Sequence, residues 1–156
     1  MAIFDRVGVA GTFSQFHKGH KRLLSLAFQL GDTVIVALTA DKMTKNKEYA
    51  DKIPTYKIRK RNLITYLKRN NLYEKTEIIK LENKYGTAII DPVQDAIVVS
   101  EETYPVAKEI NNIRKEKNLN PLVIVSIPLV RAKDNSPISS TRIRAGIVDS
   151  EGNLLD

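Results

Sequence analysis

The chain has 156 residues, of which 42% are hydrophobic, so it can form a single domain over residues 1–156 with a buried core. It has no cysteine, which excludes disulfides, thiolate zinc sites and cysteine nucleophiles, and which is typical of proteins in the reducing cytoplasm. The net charge is +7, and no apolar run approaches the roughly 20 residues needed to cross a bilayer, so we expect no membrane partner.

Strands are expected to alternate with helices, because the period of the apolar residues alternates between two and about 3.6 along the whole chain. We predict strands at residues 7–11, 33–38, 76–81, 96–99 and 122–127. The second of these is almost entirely apolar and β-branched, which is typical of a strand that is buried on both faces of a sheet.

Helices are predicted between these strands. The first begins near His17 and ends before Gly31, the second begins near Thr55, the third opens after Glu102, and a short last helix follows Pro137. We expect residues 41–54 to form a mobile loop, residues 85–95 to be irregular, and the last ten residues to be a loose tail.

This order of elements predicts an α/β fold. The expected architecture is a Rossmann-like, doubly wound sheet of about five parallel strands, with right-handed crossovers and helices on both faces. Ligands of such sheets bind beyond the carboxyl ends of the strands, where the strand order reverses. The segments that follow the strands are therefore the candidates for a functional site.

The segment after the first strand contains both histidines of the chain, His17 and His20. If the helix begins near His17, their spacing of three places both imidazoles on one face, at the helix end that favours anions. Gly11 allows a sharp turn, and Gly19 lets a ligand approach the backbone closely. The arrangement predicts a polyphosphate site, with a purely structural histidine pair as the alternative. A zinc site lacks a cysteine or third histidine to complete it, so we expect no metal ligands.

A second candidate follows the last predicted strand, at residues 137–144. Ser139, Ser140 and Thr141 place three hydroxyls at a helix start, where they can cap the helix and donate to an anion. Arg144 can add a bidentate contact to phosphate oxygens. Ser-Ser-Thr alone is an ordinary helix cap, so the anion-site hypothesis depends on its pairing with the histidine segment.

The positive charge is concentrated in residues 41–70. This stretch has ten Lys and Arg against three Asp and Glu, so it alone accounts for the net charge of +7. A field of one sign attracts anions, whether nucleic acid, nucleotides or phosphorylated small molecules. A solvated lysine-rich surface would have the same composition.

The two motifs, in this order, resemble the HxGH and ISSTxIR motifs of the nucleotidylyltransferase superfamily. Within it, the chain is similar to the archaeal-type phosphopantetheine adenylyltransferases, including residues 38–41, 98–103 and 138–146. The resemblance implies transfer of AMP from ATP to 4′-phosphopantetheine, which gives dephospho-coenzyme A and pyrophosphate. It also implies Mg²⁺ that arrives with ATP, since magnesium usually binds substrate phosphates.

The resemblance further implies roles for the matched residues. His20 would stabilise the transition state at the α-phosphate, and His17 would hold the triphosphate beside it. Thr12 and Phe13 would contact the nucleotide, with Thr12 also near the acceptor. Lys42 matches the position that binds the acceptor's phosphate. Contacts to the ATP phosphates are also implied for Ser139, Ser140, Thr141 and Arg144.

Two positions depart from the relatives. Ser14 and Gln15 stand where many relatives have Asp-Pro or a similar pair, which changes the shape of that loop. Glu101 and Glu102 stand where the bacterial branch has arginines, so the nucleotide contacts of those arginines do not transfer to this chain.

Other functions fit parts of the same sequence. A related enzyme with another phosphorylated acceptor, such as nicotinamide mononucleotide or glycerol 3-phosphate, would use the same motifs. A nucleic-acid-binding module would use the basic residues 41–70, with a strong dependence on salt and none on the histidines. We expect the adenylyltransferase, with ATP and 4′-phosphopantetheine as partners and no nucleic acid.

Overall fold

The computed structural model describes residues 2–155. The strands are β1 (Phe4–Gly11), β2 (Gly31–Thr39), β3 (Thr76–Leu81), β4 (Ala96–Ser100) and β5 (Val123–Ile127). The helices are α1 (Lys18–Leu30), α2 (Tyr56–Arg69), α3 (Tyr104–Glu116) and α4 (Ser140–Arg144). None of the helices in this part of the chain is both long and apolar enough to span a membrane.

The five strands form one sheet in the order β3-β2-β1-β4-β5, and every pairing is parallel. This confirms the expected Rossmann-like, doubly wound α/β fold. The order reverses between β1 and β4, because the chain proceeds outward from β1 to β3 and then returns to the centre. The carboxyl ends of β1 and β4 are therefore where a ligand site is expected.

Helices cover both faces of the sheet, as the side chains of β4 show. Val98 belongs to the buried cluster that includes Leu24 of α1 and Leu63 of α2. Its neighbours Ile97 and Val99 belong to the cluster that includes Ala107 and Ile110 of α3. Since successive side chains of a strand point to opposite faces, α1 and α2 lie on one face and α3 on the other.

Helix α1 ends at the predicted place, but not through a left-handed glycine cap. Gly31 has φ −117°, a conformation that any residue can adopt. A Cβ atom at this position would lie 2.7 Å from Cγ2 of Val7, so glycine is required by the close packing of β2 against β1. The helix therefore stops where the chain must enter the sheet.

The crossover from β3 to β4 has no α-helix, and a buried arginine holds it instead. Arg114 of α3 is fully buried, and its Nη1 donates to the carbonyls of Ala88 and Asp91 at 2.7 and 2.8 Å. The segment is irregular apart from a 3-10 turn at Gly86–Ile89, which agrees with the prediction for residues 85–95.

The prediction of a loose tail is wrong, whereas residues 41–54 do form a loop between β2 and α2. Residues 41–54 contain 3-10 turns at Asp41–Met43 and Ala50–Lys52, and Thr44 is buried. Val148 is fully buried and pairs with Leu154, while the carbonyl of Ser150 accepts the amide N–H of Lys18 at 2.9 Å. Polar composition does not show these backbone pairings.

Candidate active site

A cavity of about 390 Å³ lies at the carboxyl ends of β1, β4 and β5, where the strand order reverses. Its lining includes residues of both motifs: Thr12, Ser14, His17, Gly19, His20, Ser139, Ser140, Thr141 and Arg144. The fold thus brings together segments that are more than a hundred residues apart. All the matched residues except Phe13 and Lys42 line this cavity.

His17 and His20 form the start of α1. His17 is the N-cap, and its Nδ1 accepts the amide N–H groups of Gly19 and His20 at 3.0 and 3.4 Å. Nδ1 of His20 accepts the amide N–H of His17 at 3.3 Å, which completes a reciprocal capping box. The two rings stack with their centroids 3.7 Å apart. The sequence predicted both rings on one face of the helix, and the capping hydrogen bonds fix their orientation.

The hydrogen-bond network also assigns the tautomer of each ring. A neutral imidazole has one N–H and one acceptor nitrogen. Because Nδ1 of His17 and Nδ1 of His20 both accept backbone N–H groups, the proton of each neutral ring lies on Nε2. Both residues line the cavity, so each can offer an Nε2–H to a ligand there.

Both histidines are neutral near pH 7. Burial lowers the pKa of His17 from 6.5 to about 4. Burial also lowers the pKa of His20 well below 6.5, and it is lowered further by His17 when that ring is protonated and by the charge of Lys47. In the free protein the pair therefore acts as two hydrogen-bond donors rather than as two positive charges.

Gly19 is needed for the position of the His17 ring. A Cβ atom at Gly19 would lie 2.9 Å from Cε1 and 3.0 Å from Nδ1 of His17. The sequence predicted that this glycine would let a ligand approach the backbone. The structure adds that it makes room for the capping imidazole.

The ring of Phe13 packs against the ring of His20. Its side chain is 3% exposed, and its ring meets the edge of the His20 ring with centroids 4.8 Å apart. Its φ of +50° is a left-handed conformation that is strained for an aromatic residue. The strained turn directs Phe13 into the core, while Thr12 beside it lines the cavity.

A buried arginine that sequence reasoning missed holds Thr12. Arg59 of α2 is 1% exposed, and its Nη1 donates to the carbonyl of Thr12 at 3.1 Å. Its Nη2 pairs with the carboxylate of Asp41 at 3.1 Å, and the hydroxyl of Thr39 donates to that of Thr12 at 2.9 Å. Arg59 therefore ties the end of β1 to the end of β2. In the sequence it is one of many basic residues between 41 and 70.

The hydroxyls of the second motif begin α4. Ser139 is its N-cap and accepts the amide N–H of Arg142 at 3.1 Å. Ser140 and Thr141 follow in the first turn of the helix, and all three residues line the cavity. The predicted helix cap is thus present, and the three residues line the cavity in which the predicted anion contact would be made.

Arg144 makes more contacts within the protein than the sequence predicted. Its Nη1 donates to Ser14 Oγ and Gln15 Oε1 at 2.9 and 2.8 Å, and its Nε donates to the carbonyl of Glu48 at 3.1 Å. Its Nη2 donates to Thr141 Oγ1 at 3.3 Å. These bonds use four of the five N–H groups of a guanidinium, so the bidentate phosphate contact expected from the sequence is not available in this arrangement.

Lys47, and not Lys42, lines the cavity. Lys42 lies exposed on the 3-10 turn at Asp41–Met43, which carries it away from the lining. Burial lowers the pKa of Lys47, and the charges of Arg144 and Arg59 lower it further. Within residues 2–155, Lys47 forms no side-chain hydrogen bond or ion pair, so its ammonium can pair with an anion in the cavity.

Part of the cavity lining is apolar. It is formed after β5 by residues 127–130, with Leu23 and Ile138 nearby. Thr103 and Glu102 add polar groups after β4, whereas Glu101 is outside the lining. The lining thus offers both polar groups that suit phosphates and an apolar surface that suits an aromatic ring. Over the described residues 2–155, no three histidine or acidic side chains cluster as a metal site would require.

Comparison with known proteins agrees with the site. A family model described as cytidylyltransferase-like matches residues 9–146. The chain is 46% identical over 155 residues to a phosphopantetheine adenylyltransferase of Pyrococcus abyssi, covering 99% of this chain and 98% of that protein. It is 42% identical over 152 residues to the protein of that name from Methanothermobacter thermautotrophicus, covering 97% and 90% respectively.

Solved structures agree as well. A crystal structure of a protein of unknown function from Archaeoglobus fulgidus superposes with a TM-score of 0.72 at 30% identity, covering 86% of this chain and 99% of that one. A putative nicotinate-nucleotide adenylyltransferase from Vibrio parahaemolyticus shares the fold, with a TM-score of 0.56 at 15% identity, covering 95% and 83%. The chain therefore belongs to the cytidylyltransferase-like family and, within it, to the group of the archaeal phosphopantetheine adenylyltransferases.

Proposed function

We propose that the chain is an adenylyltransferase that transfers AMP from ATP to 4′-phosphopantetheine. The observation that supports this most directly is that the histidine motif and the Ser-Ser-Thr motif line one cavity at the switch point of the sheet. The relatives named phosphopantetheine adenylyltransferase match nearly the whole chain. A cytoplasmic location fits a chain without cysteine.

The proposed reaction needs no nucleophilic side chain. A phosphate oxygen of 4′-phosphopantetheine attacks the α-phosphorus of ATP, and the bond from that phosphorus to the bridging oxygen of the β-phosphate breaks. The products are dephospho-coenzyme A and pyrophosphate. Since a phosphate monoester is already anionic, the protein needs only to align the two substrates and to neutralise charge on the phosphates.

The cavity suggests how ATP would be placed. The apolar part of the lining formed by residues 127–130 offers a surface for the adenine ring. The Nε2–H groups of His17 and His20 would donate to phosphate oxygens, with His20 at the α-phosphate. Neutral donors suit this task because their hydrogen bonds do not depend on protonation near pH 7. The hydroxyls of residues 139–141 would contact the phosphates from the other motif.

We assign the positive charge at the reacting phosphates to Lys47. Partial desolvation at the cavity and the charges of Arg144 and Arg59 lower the pKa of its ammonium, while Glu102 raises it. An anionic substrate would relieve both effects. Lys42, which the resemblance matched to the acceptor phosphate, is the natural control because it lies on the same loop and is exposed like Lys47, but is outside the cavity lining.

Mg²⁺ is proposed to arrive bound to ATP. The cavity offers Glu48 and Glu102 as its carboxylates, which fits a magnesium ion that is held mainly by the triphosphate and water. Bound there, the ion would neutralise charge on the leaving pyrophosphate.

Pyrophosphate release tests the proposed acceptor. The purified protein is given ATP, Mg²⁺ and one of three acceptors: 4′-phosphopantetheine, nicotinamide mononucleotide or glycerol 3-phosphate. We expect release with the first alone. Release with another acceptor and none with 4′-phosphopantetheine would replace the substrate while retaining the chemistry.

Three of the ten basic residues in 41–70 have places in or beside the cavity, which supports a role for them without nucleic acid. Arg59 is buried, Lys47 lines the cavity, and Nζ of Lys52 donates to the carbonyl of Arg144 at 2.9 Å. A nucleic-acid-binding module would instead bind DNA or RNA with a steep salt dependence, unaffected by substitution of His17 or His20. Such salt-dependent binding, together with no pyrophosphate release, would favour a nucleic-acid-binding module over the adenylyltransferase.

A further inference from the structure

The side-chain amide of Gln15 joins three segments beside the cavity. Its Oε1 accepts hydrogen bonds from Nη1 of Arg144 at 2.8 Å and from the hydroxyl of Ser14 at 2.6 Å. Its Nε2 donates to the carbonyl of Lys52 at 3.1 Å. Its backbone carbonyl accepts the hydroxyl of Ser140 at 3.5 Å. One residue thus connects the first motif, the second motif and the loop that contains Lys52.

The contacts of Gln15 belong to a closed ring of hydrogen bonds. Nζ of Lys52 donates to the carbonyl of Arg144 at 2.9 Å, so Gln15, Lys52 and Arg144 are bonded in a circle. Nε of Arg144 also donates to the carbonyl of Glu48 at 3.1 Å. Since Glu48 directly follows Lys47, the ring holds the backbone next to the ammonium that lines the cavity.

The chemistry of the ring requires a group at position 15 that both donates and accepts, as the primary amide of Gln15 does. The guanidinium of Arg144 only donates, and the carbonyl of Lys52 only accepts, so the group between them must do both. A carboxylate would lack the donor, and an alkyl side chain would lack both groups. The same two contacts assign which end of the Gln15 amide is oxygen.

We propose that Gln15 is a positioning residue for the adenylyl transfer, acting by holding the loop that presents Lys47 to the substrate phosphates. Over residues 2–155 the cavity lining includes Ser14 but not Gln15, so Gln15 acts through its neighbours. The effect of Gln15 on catalysis rests on the proposed function, whereas its role in fixing the loop that contains Lys47 and Lys52 does not. Gln15 is half-buried at the surface, so its truncation leaves the core intact.

Amide hydrogen exchange tests whether Gln15 fixes the loop, and it needs no assay of activity. The amide N–H groups of Lys52 and Ile53 donate to the carbonyls of Tyr49 and Ala50 in the 3-10 turn. In Gln15→Ala we expect both amides to exchange about tenfold faster or more, because local opening of the turn becomes easier. The matched control is Gln29→Ala, which removes an exposed glutamine of α1. Unchanged exchange in Gln15→Ala would overturn the proposal.

A double-mutant cycle in the pyrophosphate assay tests the route to catalysis. Gln15→Ala should lower kcat/KM about tenfold in the wild-type background and less than about twofold in the Lys47→Ala background, since contacts that act as one unit are not additive. An equal loss of kcat/KM in both backgrounds would show that Gln15 does not act through Lys47. An inactive wild type would refute the proposed function, and the exchange measurement would then still decide whether Gln15 holds the loop.

Discussion

Acidification should destabilise the fold through His17. Burial lowers the pKa of this ring to about 4 in the folded chain, whereas its ordinary value is 6.5. Below pH 6.5 the unfolded chain therefore binds more protons than the folded chain, and the free energy of unfolding falls until the folded ring also titrates, at about pH 4. Above pH 6.5 the ring is neutral in both states, so His17 gives no pH dependence there.

The magnitude follows from the two pKa values. A difference of about 2.5 corresponds to about 3 kcal/mol at full effect and to about 2 kcal/mol at pH 5. His17 is only 7% exposed, so solvent screens the effect little. His17→Asn removes the titration and keeps a preferred N-cap. Between pH 7 and pH 5 the wild type loses unfolding free energy through this titration and the variant does not. We therefore expect the loss in His17→Asn to be about 2 kcal/mol smaller than the loss in the wild type.

Urea unfolding at pH 7 and pH 5 measures this difference. Far-UV circular dichroism is the suitable probe because the chain has no tryptophan. The exposed substitution Gln29→Ala serves as the control and should lose as much stability on acidification as the wild type. If His17→Asn also loses as much, burial of a neutral His17 is not the source of the acid sensitivity, and the reasoning is refuted.

Four further substitutions test the site. His20→Ala should lower kcat by about a hundredfold, because it removes a donor to the reacting phosphate, and a normal kcat would exclude that role. Lys47→Ala should raise the KM for the acceptor about tenfold, whereas Lys42→Ala should change it less than about twofold; the reverse order would restore Lys42 to the site. Gly19→Ala should displace the ring of His17 and lower kcat/KM about tenfold, so an unchanged value would show that the ring can shift at no cost.

The local patterns of the sequence predicted most of the elements that position the site. β3 has the predicted bounds, and α1 begins and ends as expected, because apolar periodicity and helix caps are properties of neighbouring residues. His17, His20 and Ser139 could be found for the same reason. Each lies at the junction of a strand or loop with a helix, which a short motif specifies.

Contacts between residues that are far apart along the chain could not be predicted from the sequence. Arg144 and Ser14 are 130 residues apart, so nothing local shows that this arginine bonds to the first motif. Lys47 and Arg59 are ordinary members of a basic stretch. Only the packing of the 41–54 loop places Lys47 in the cavity, and only the packing of α2 against the sheet buries Arg59. Lys42 was selected by sequence position, and a 3-10 turn carries it outward.

The central claim is that both motifs bind one ATP molecule, and calorimetric titration of ATP tests it most directly. His17→Asn removes the ring Nε2–H from the first motif, and Thr141→Val removes from the second motif a hydroxyl whose proton is left free by its contact with Arg144. Each should weaken ATP binding about tenfold or more, since hydrogen bonds to charged groups contribute about 1.5–3 kcal/mol. Gln29→Ala should bind as the wild type does. A wild-type Kd in either motif variant would contradict a shared ATP site.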